Sequence, residues 1–200
     1  MFCCFSNNYK ITPEVFDVWM RLLQKVEDSV LWLSLDNPAV ETNLRKEARA
    51  RGVDPARLIF ASFVKKIEEH YARYRLADLF LDTTYNGHVT TTDALWAGLP
   101  VLTRAGSSFA GRVAGSLLHA VGLPELVTHS LDEYEAMALE LAGDRRLLEA
   151  LRARLEENKH SAPLFDTDRF RRHIESAYVT MWEIWQRGDE PRAFAVEPLE

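Results

Sequence analysis

The sequence predicts an α/β protein built on a parallel sheet flanked by helices, with a helical C-terminal extension. Three observations predict it. Short apolar runs of strand length alternate with segments of helical periodicity as far as Leu126-Val127. Those runs are continuous and do not alternate with polar residues, the pattern of strands covered on both faces. Beyond residue 130 the periodicity is helical throughout.

Met1–Phe5 reads as a short buried strand. Thr12-Pro13-Glu14 opens a helix. A threonine hydroxyl satisfies a free N–H there, and proline, lacking an N–H, suits the first helical position. Val15, Trp19, Leu22 and Val26 then recur at helical spacing. Val30–Leu35 is the second strand, and Asn37-Pro38 starts a polar helix that ends near Gly52. Arg57–Ala61, centred on Leu58-Ile59-Phe60, is the third strand, Lys66–Tyr74 a short helix and Asp78–Asp82 the fourth strand. Thr90–Ala97 is helical and stops at Gly98 and Pro100; Val101-Leu102 is the fifth strand. Ser107–Val121 is a helix ended by Gly122 and Pro124, and Leu126-Val127 a short sixth strand.

Ser130-x-x-Glu133 reads as a capping box. Leu148, Leu151 and Leu155 give one helix its stripe. Phe170, Ile174, Ala177, Met181 and Trp185 give the last helix another, which Gly188 ends. Trp182 and Trp185 read as core or as an interface between lobes, not as a sugar platform. Residues 1–187 thus form one domain, mostly helical over 130–187, and 188–200 a loose polar tail.

The 200-residue length suits a single core. A net charge of −6 argues against a general nucleic-acid binder, which needs a basic face. No run approaches the roughly 20 apolar residues that span a bilayer, and no secretory signal pattern is present. Cys3 and Cys4 are neighbours in a strand and point to opposite faces, which disfavours a disulfide; with no second pair, zinc is disfavoured too. Cysteine usage points to the cytoplasm.

Ligands of open parallel sheets bind at the carboxyl ends of the strands. The loops there are Ser6–Lys10 after the first strand, 62–66 after the third and 83–90 after the fourth. The last is the richest: Asn86-Gly87-His88 forms a turn, Gly87 permitting it to be tight, and Thr90-Thr91-Thr92 enters a helix. A helix start offers N–H groups and a positive dipole end to a phosphate, with Lys10 and Lys66 as neighbouring cations. The pattern is neither a P-loop nor a dinucleotide fingerprint. By chemistry alone each residue also has a structural role open to it. Lys10 reads equally as a solvated lysine, Thr90-x-x-Asp93 as a capping box, and His70 as an exposed helix histidine. Arg73 also suits an ion pair with Glu69, and His88 a plain turn.

Ordered blocks then carry a resemblance. They are Phe2–Phe5, Asn8–Ile11, Ser29–Leu33, Leu76-Ala77-Asp78, Leu81-Asp82-Thr83, Asn86-Gly87-His88, Asp93–Pro100, Arg112-Val113-Ala114 and Ala162–Phe165. Together, over roughly residues 2–187, they resemble the protein O-GlcNAc transferase family, and most closely its bacterial members, which carry tetratricopeptide repeats upstream. The resemblance implies the C-terminal Rossmann-like lobe of a GT-B glycosyltransferase. It implies a UDP-sugar donor, a protein acceptor, inversion at the sugar and no metal or other cofactor.

The resemblance also places roles. Lys10 matches the lysine that stabilises departing UDP, and Asn7 a phosphate-contacting glutamine. Phe63-Val64 falls where backbone groups read the uracil. Lys66, His70 and Arg73 match residues around the base. His88 and Thr90 match the phosphate turn, where Val89 replaces a frequent threonine, and Asp93 matches the carboxylate that holds the ribose. With the N-terminal lobe missing, the chain is expected to bind UDP weakly and not to transfer sugar. The stripe around Met181 and Trp185 is then expected to be partly exposed and to favour self-association. Two other readings stay open: a lobe of the type that moves glucose onto asparagine, and, from the start of the chain at a strand position, a truncated interaction remnant.

Overall fold

Among the residues described by the computed structural model (1–35, 37–85 and 87–198), six strands pair in parallel. They are β1 (Phe2–Cys4), β2 (Leu31–Ser34), β3 (Leu58–Ala61), β4 (Leu79–Leu81), β5 (Val101–Arg104) and β6 (Val127–Thr128). Their order is β3-β2-β1-β4-β5-β6. Cys3 sits opposite Trp32 on one side and Phe80 on the other. All residues of β1 and β4 are buried. A central parallel strand has no solvent face, so every position must be apolar; that is why the runs do not alternate. Cys3 and Cys4 are accordingly free buried thiols, and burial pushes the Cys4 thiol up to about 12.

Eight helices connect and extend this sheet among the described residues: α1 (Pro13–Lys25), α2 (Pro38–Ala50), α3 (Ile67–Tyr74), α4 (His88–Trp96), α5 (Val113–Ala120), α6 (Leu131–Gly143), α7 (Arg145–Asn158) and α8 (Thr167–Gln186). The expected caps form: Thr12 Oγ1 accepts the Val15 N–H, and Asn37 Oδ1 accepts the Ala39 N–H. Ser130 accepts the Glu133 N–H at 3.0 Å while the Glu133 carboxylate accepts the His129 N–H at 2.8 Å. Helix α1 buries Val15, Trp19 and Leu22 and packs against α6, where the Trp19 indole donates to the Tyr134 hydroxyl at 3.3 Å. Removing the Trp19 side chain would cost about 3–5 kcal/mol. On the rim of the same contact Glu135 accepts from Arg21 and Lys25, each at 2.7 Å.

Three expectations need correction. Helix α4 begins at His88, so Thr90 lies inside its first turn and caps nothing. Helix α5 begins at Val113, after a 3-10 turn at Ala110–Arg112, and not at Ser107. The Gly106 N–H reaches the Gly111 carbonyl at 2.6 Å and closes a loop where a helix was expected. The sixth strand is Val127–Thr128, one residue later than expected. Of the two readings of Trp182 and Trp185 the core one fails and the lobe-interface one stays open, since they stack on each other at 4.8 Å and are 56% and 67% exposed. Phe170 and Met181 are exposed with them, and Ile184 is the buried residue of α8. Residues 189–198 carry no helix or strand, and no helix among the described residues is long and apolar enough to cross a membrane.

Candidate functional site

The strand order reverses direction at β1 and β4. From β1 the chain builds outward through β2 and β3; from β4 it builds the other way through β5 and β6. The loops leaving β1 and β4 therefore diverge and leave a crevice at their carboxyl ends, the usual ligand position in such sheets. One cleft opens there, and a second opens beside it, on the β2–β3 side of β1.

The first cleft, about 360 Å³, is lined by Ser6, Asn7, Lys10, Gly87, His88, Val89 and Thr90. On its β1 side, buried Ser6 is followed by a 3-10 turn at Asn8–Lys10, closed by the Lys10 N–H on the Asn7 carbonyl at 3.0 Å. The turn leaves Lys10 half-buried at the wall. On the β4 side, α4 starts at His88, and its first bond runs from the Thr91 N–H to the Gly87 carbonyl at 2.7 Å. The N–H groups of His88, Val89 and Thr90 precede that bond. They stand at the positive end of the helix dipole, a favourable place for an anion. Asn86, part of the expected turn, lies outside the described residues.

Gly87 earns its place differently from the expectation. Its φ of −88° is open to any residue, so the turn does not need glycine for its angles. It needs the space. A Cβ at Gly87 would lie 1.9 Å from Thr90 Oγ1 and 2.8 Å from Ser6 Oγ. The Thr90 hydroxyl occupies that space, bonding the Gly87 carbonyl at 3.1 Å and Ser6 Oγ at 3.3 Å. Ser6 and Thr90 thereby clasp the two loops across the crevice.

The second cleft, about 350 Å³, opens between the ends of β1, β2 and β3 and the start of α3. Phe63, Val64, Lys66, His70 and Arg73 all line it. Phe63 is 84% exposed, a ring with no packing role in the core. Arg73 donates to the Ser62 carbonyl and so braces the loop; Lys66 is the cation nearest Glu69, at 3.8 Å. His70 is half-buried and not the exposed helix histidine that spacing alone allowed. Its ring packs edge-on to Tyr74 at 5.0 Å and lies 6.3 Å from Phe5. Burial lowers its pKa and the Arg73 charge adds to this, while the Asp93 carboxylate opposes.

Asp93 lines neither cleft but links α4 to α3. It sits on α4, accepts from the Tyr71 hydroxyl at 3.3 Å, and lies 3.8 Å from His70 Nε2. The capping-box alternative for Thr90 and Asp93 fails on this geometry, because Thr90 bonds Gly87 and Asp93 bonds α3. Nine of the ten residues singled out from sequence thus line these clefts, Asn7, Lys10, His88 and Thr90 in one and Phe63, Val64, Lys66, His70 and Arg73 in the other, while Asp93 lines neither and lies 3.8 Å from His70.

Sequence reasoning missed Asp82, Ser6 and Tyr71. Asp82 is 2% exposed at the end of β4. It accepts from the Thr83 and Gly87 N–H groups at 2.9 and 3.4 Å and from the Thr103 hydroxyl at 2.9 Å. A carboxylate directly after the fully apolar Leu79-Phe80-Leu81 was the available signal. Among the described residues no cluster of His, Cys, Asp and Glu is arranged to hold a metal ion.

Comparison with known proteins fits this geometry. Glycosyl transferase family 41 matches residues 1–174. A probable UDP-N-acetylglucosamine–peptide N-acetylglucosaminyltransferase of Arabidopsis thaliana, SEC, is 41% identical over 198 residues, covering 98% of this chain and 20% of its own length. The UDP-N-acetylglucosamine–peptide N-acetylglucosaminyltransferase of Caenorhabditis elegans is 39% identical, covering 94% of this chain and 16% of its own length. The solved structure of a lysine-to-methionine mutant of Thermobaculum terrenum O-GlcNAc transferase superposes with a TM-score of 0.85 at 36% identity, covering 90% of this chain and 35% of that one. The chain therefore spans about a fifth of the length of these curated relatives.

Proposed function

The chain belongs to glycosyl transferase family 41, and from that premise we propose that it is the donor-binding lobe of an enzyme that moves N-acetylglucosamine from UDP to serine or threonine hydroxyls of a protein. The observation that carries the reading is the pairing of two clefts, one at the strand reversal and one beside it. One has Lys10 and a helix N-terminus; the other has Phe63, His70 and Arg73. A nucleoside diphosphate has the same two halves, an anionic end and a flat base, joined by a ribose that this reading assigns to Asp93.

In the proposed transfer the bond from the sugar's anomeric carbon to the β-phosphate oxygen breaks, and its electron pair leaves with UDP. The acceptor oxygen bonds the carbon from the opposite face and inverts it, and the acceptor's hydroxyl proton is released to solvent as UDP leaves. Negative charge grows on the diphosphate, and this reading assigns its stabilisation to Lys10 and the first N–H groups of α4. Such prearranged donors lower a barrier because they need no reorganisation. The mechanism assigns no step to a metal or other cofactor. The reading leaves acceptor binding to a second lobe, so the 200-residue chain binds UDP weakly and transfers nothing by itself. The exposed aromatic face of α8 makes self-association the expected behaviour of the isolated lobe, and the two buried free thiols suit the cytoplasm, where the reading places it. A crystal structure with UDP tests the proposal: uracil beside His70 and Arg73 with phosphates beside Lys10 and Thr90 supports it, and UDP bound elsewhere refutes it.

A further inference from the structure

Asp82 is a buried carboxylate at this crevice to which the proposed transfer assigns no contact with the donor. It stands at the carboxyl end of β4, and among the described residues its carboxylate accepts from the Thr83 N–H, the Gly87 N–H and the Thr103 hydroxyl. Its backbone carbonyl accepts from the Tyr134 hydroxyl at 3.0 Å. One residue thus ties the start of α4 to β5 and to α6. We propose that Asp82 is a positioning residue, which sets where Gly87 and the first turn of α4 stand relative to Ser6 and Lys10, and so holds the diphosphate cleft in its binding shape. This rests on the donor-site reading above.

The residue type supports the assignment. Two of the groups that meet the carboxylate are backbone N–H donors, which cannot reverse, and an ionised carboxylate only accepts. An amide keeps one oxygen for them and turns its N–H groups toward Thr103, whose hydroxyl must then reverse from donor to acceptor. A buried carboxylate is costly unless its oxygens are satisfied, so retaining one here implies that the turn depends on it. An anion site works through N–H groups fixed before the ligand arrives, and a first turn of helix held at its N-cap meets that need.

The same geometry carries a pH dependence. Burial pushes the Asp82 carboxyl up to about 6, against the pull of Thr103, Gly87 and Thr83 and the charge of Lys10. Among the described residues, Cys4 on β1 and Tyr134 on α6 also face it; burial raises both, so they stay neutral while Asp82 titrates. Protonation gives Asp82 an O–H among donors, and the cleft loses its shape as pH falls through about 6.

Calorimetric titration of the chain with UDP-N-acetylglucosamine and with uridine, from about pH 5 to about pH 8, tests this. The sugar-linked diphosphate gains no proton in that range, so changes in its affinity belong to the protein. Asp82→Asn supplies the baseline for His88 and His70, which remain in the variant. The expected result at the upper pH is a roughly tenfold weaker donor affinity in D82N, about 1.4 kcal/mol, with uridine affinity unchanged. The ratio between wild type and D82N should approach one at the lower pH. Equal donor affinity of the two proteins throughout overturns the proposal, as does a loss shared equally by uridine and donor. If D82N does not fold, Thr103→Val serves: it removes one donor, so the midpoint of the donor pH profile should move upward, and an unmoved midpoint overturns the proposal. Wild type that binds no donor at any pH overturns the donor-site reading itself, and this inference with it.

Discussion

Replacing Gly87 by alanine isolates the effect of close packing in the turn. The φ of −88° suits alanine, so no backbone strain enters. The whole cost comes from a Cβ placed 1.9 Å from Thr90 Oγ1 and 2.8 Å from Ser6 Oγ. Thr90 must rotate and surrender its bonds to the Gly87 carbonyl and to Ser6. Overpacking of this kind costs about 1–3 kcal/mol. For a chain of this size each kcal/mol lowers Tm by about 2–4 °C, so G87A should melt about 2–12 °C below wild type. UDP affinity should fall by about tenfold or more, since the first turn of α4 moves with the clash. The double variant G87A/T90A removes the nearest atom. It should regain most of the lost Tm and still bind UDP poorly, because the hydroxyl and the clasp to Ser6 are gone. Thermal melts followed by circular dichroism, with UDP titrations, read both quantities. An unchanged Tm in G87A, or a double variant as unstable as the single one, would refute the reasoning.

Lys10→Met should leave Tm within a degree or two of wild type, weaken UDP by about tenfold and leave uridine unaffected; NMR or calorimetric titration with both ligands checks this. His70 should titrate below the ordinary imidazole value in an NMR pH series, because burial disfavours its charged form. The folded state then binds fewer protons than the unfolded one between the two pKa values. His70 therefore contributes stability that is full above the ordinary value and is lost as pH falls through the folded value. Asp93→Asn removes the opposing carboxylate and should lower the His70 pKa further. Trp185→Glu, on the exposed stack with Trp182, should abolish concentration-dependent self-association in sedimentation experiments without lowering Tm.

The sheet was legible because its strands are short apolar runs separated by helices with ordinary caps. Thr12-Pro13, Asn37-Pro38 and Ser130-x-x-Glu133 all cap as their chemistry requires. The site's residues were legible through their family pattern, and strand order brings them together. What escaped was set by tertiary contact. The helix expected from Ser107 gives way to a loop held by the approach of Gly106 to Gly111, which no local propensity encodes. Gly87 looked like a residue chosen for its angles, because the neighbour that needs the space, Thr90, folds back onto it. Asp82 looked like the polar end of a strand; its importance lies in Thr103 and Tyr134, 21 and 52 residues away.

The central claim is that the two neighbouring clefts at the strand ends bind a UDP-linked donor through both of its halves. Isothermal titration of the chain with UDP, repeated with Lys10→Met and His70→Ala, tests it most directly. The account predicts saturable one-to-one binding that each substitution weakens by about tenfold or more. Absence of any heat or spectral shift from the folded wild-type chain, or binding that neither substitution alters, would contradict it.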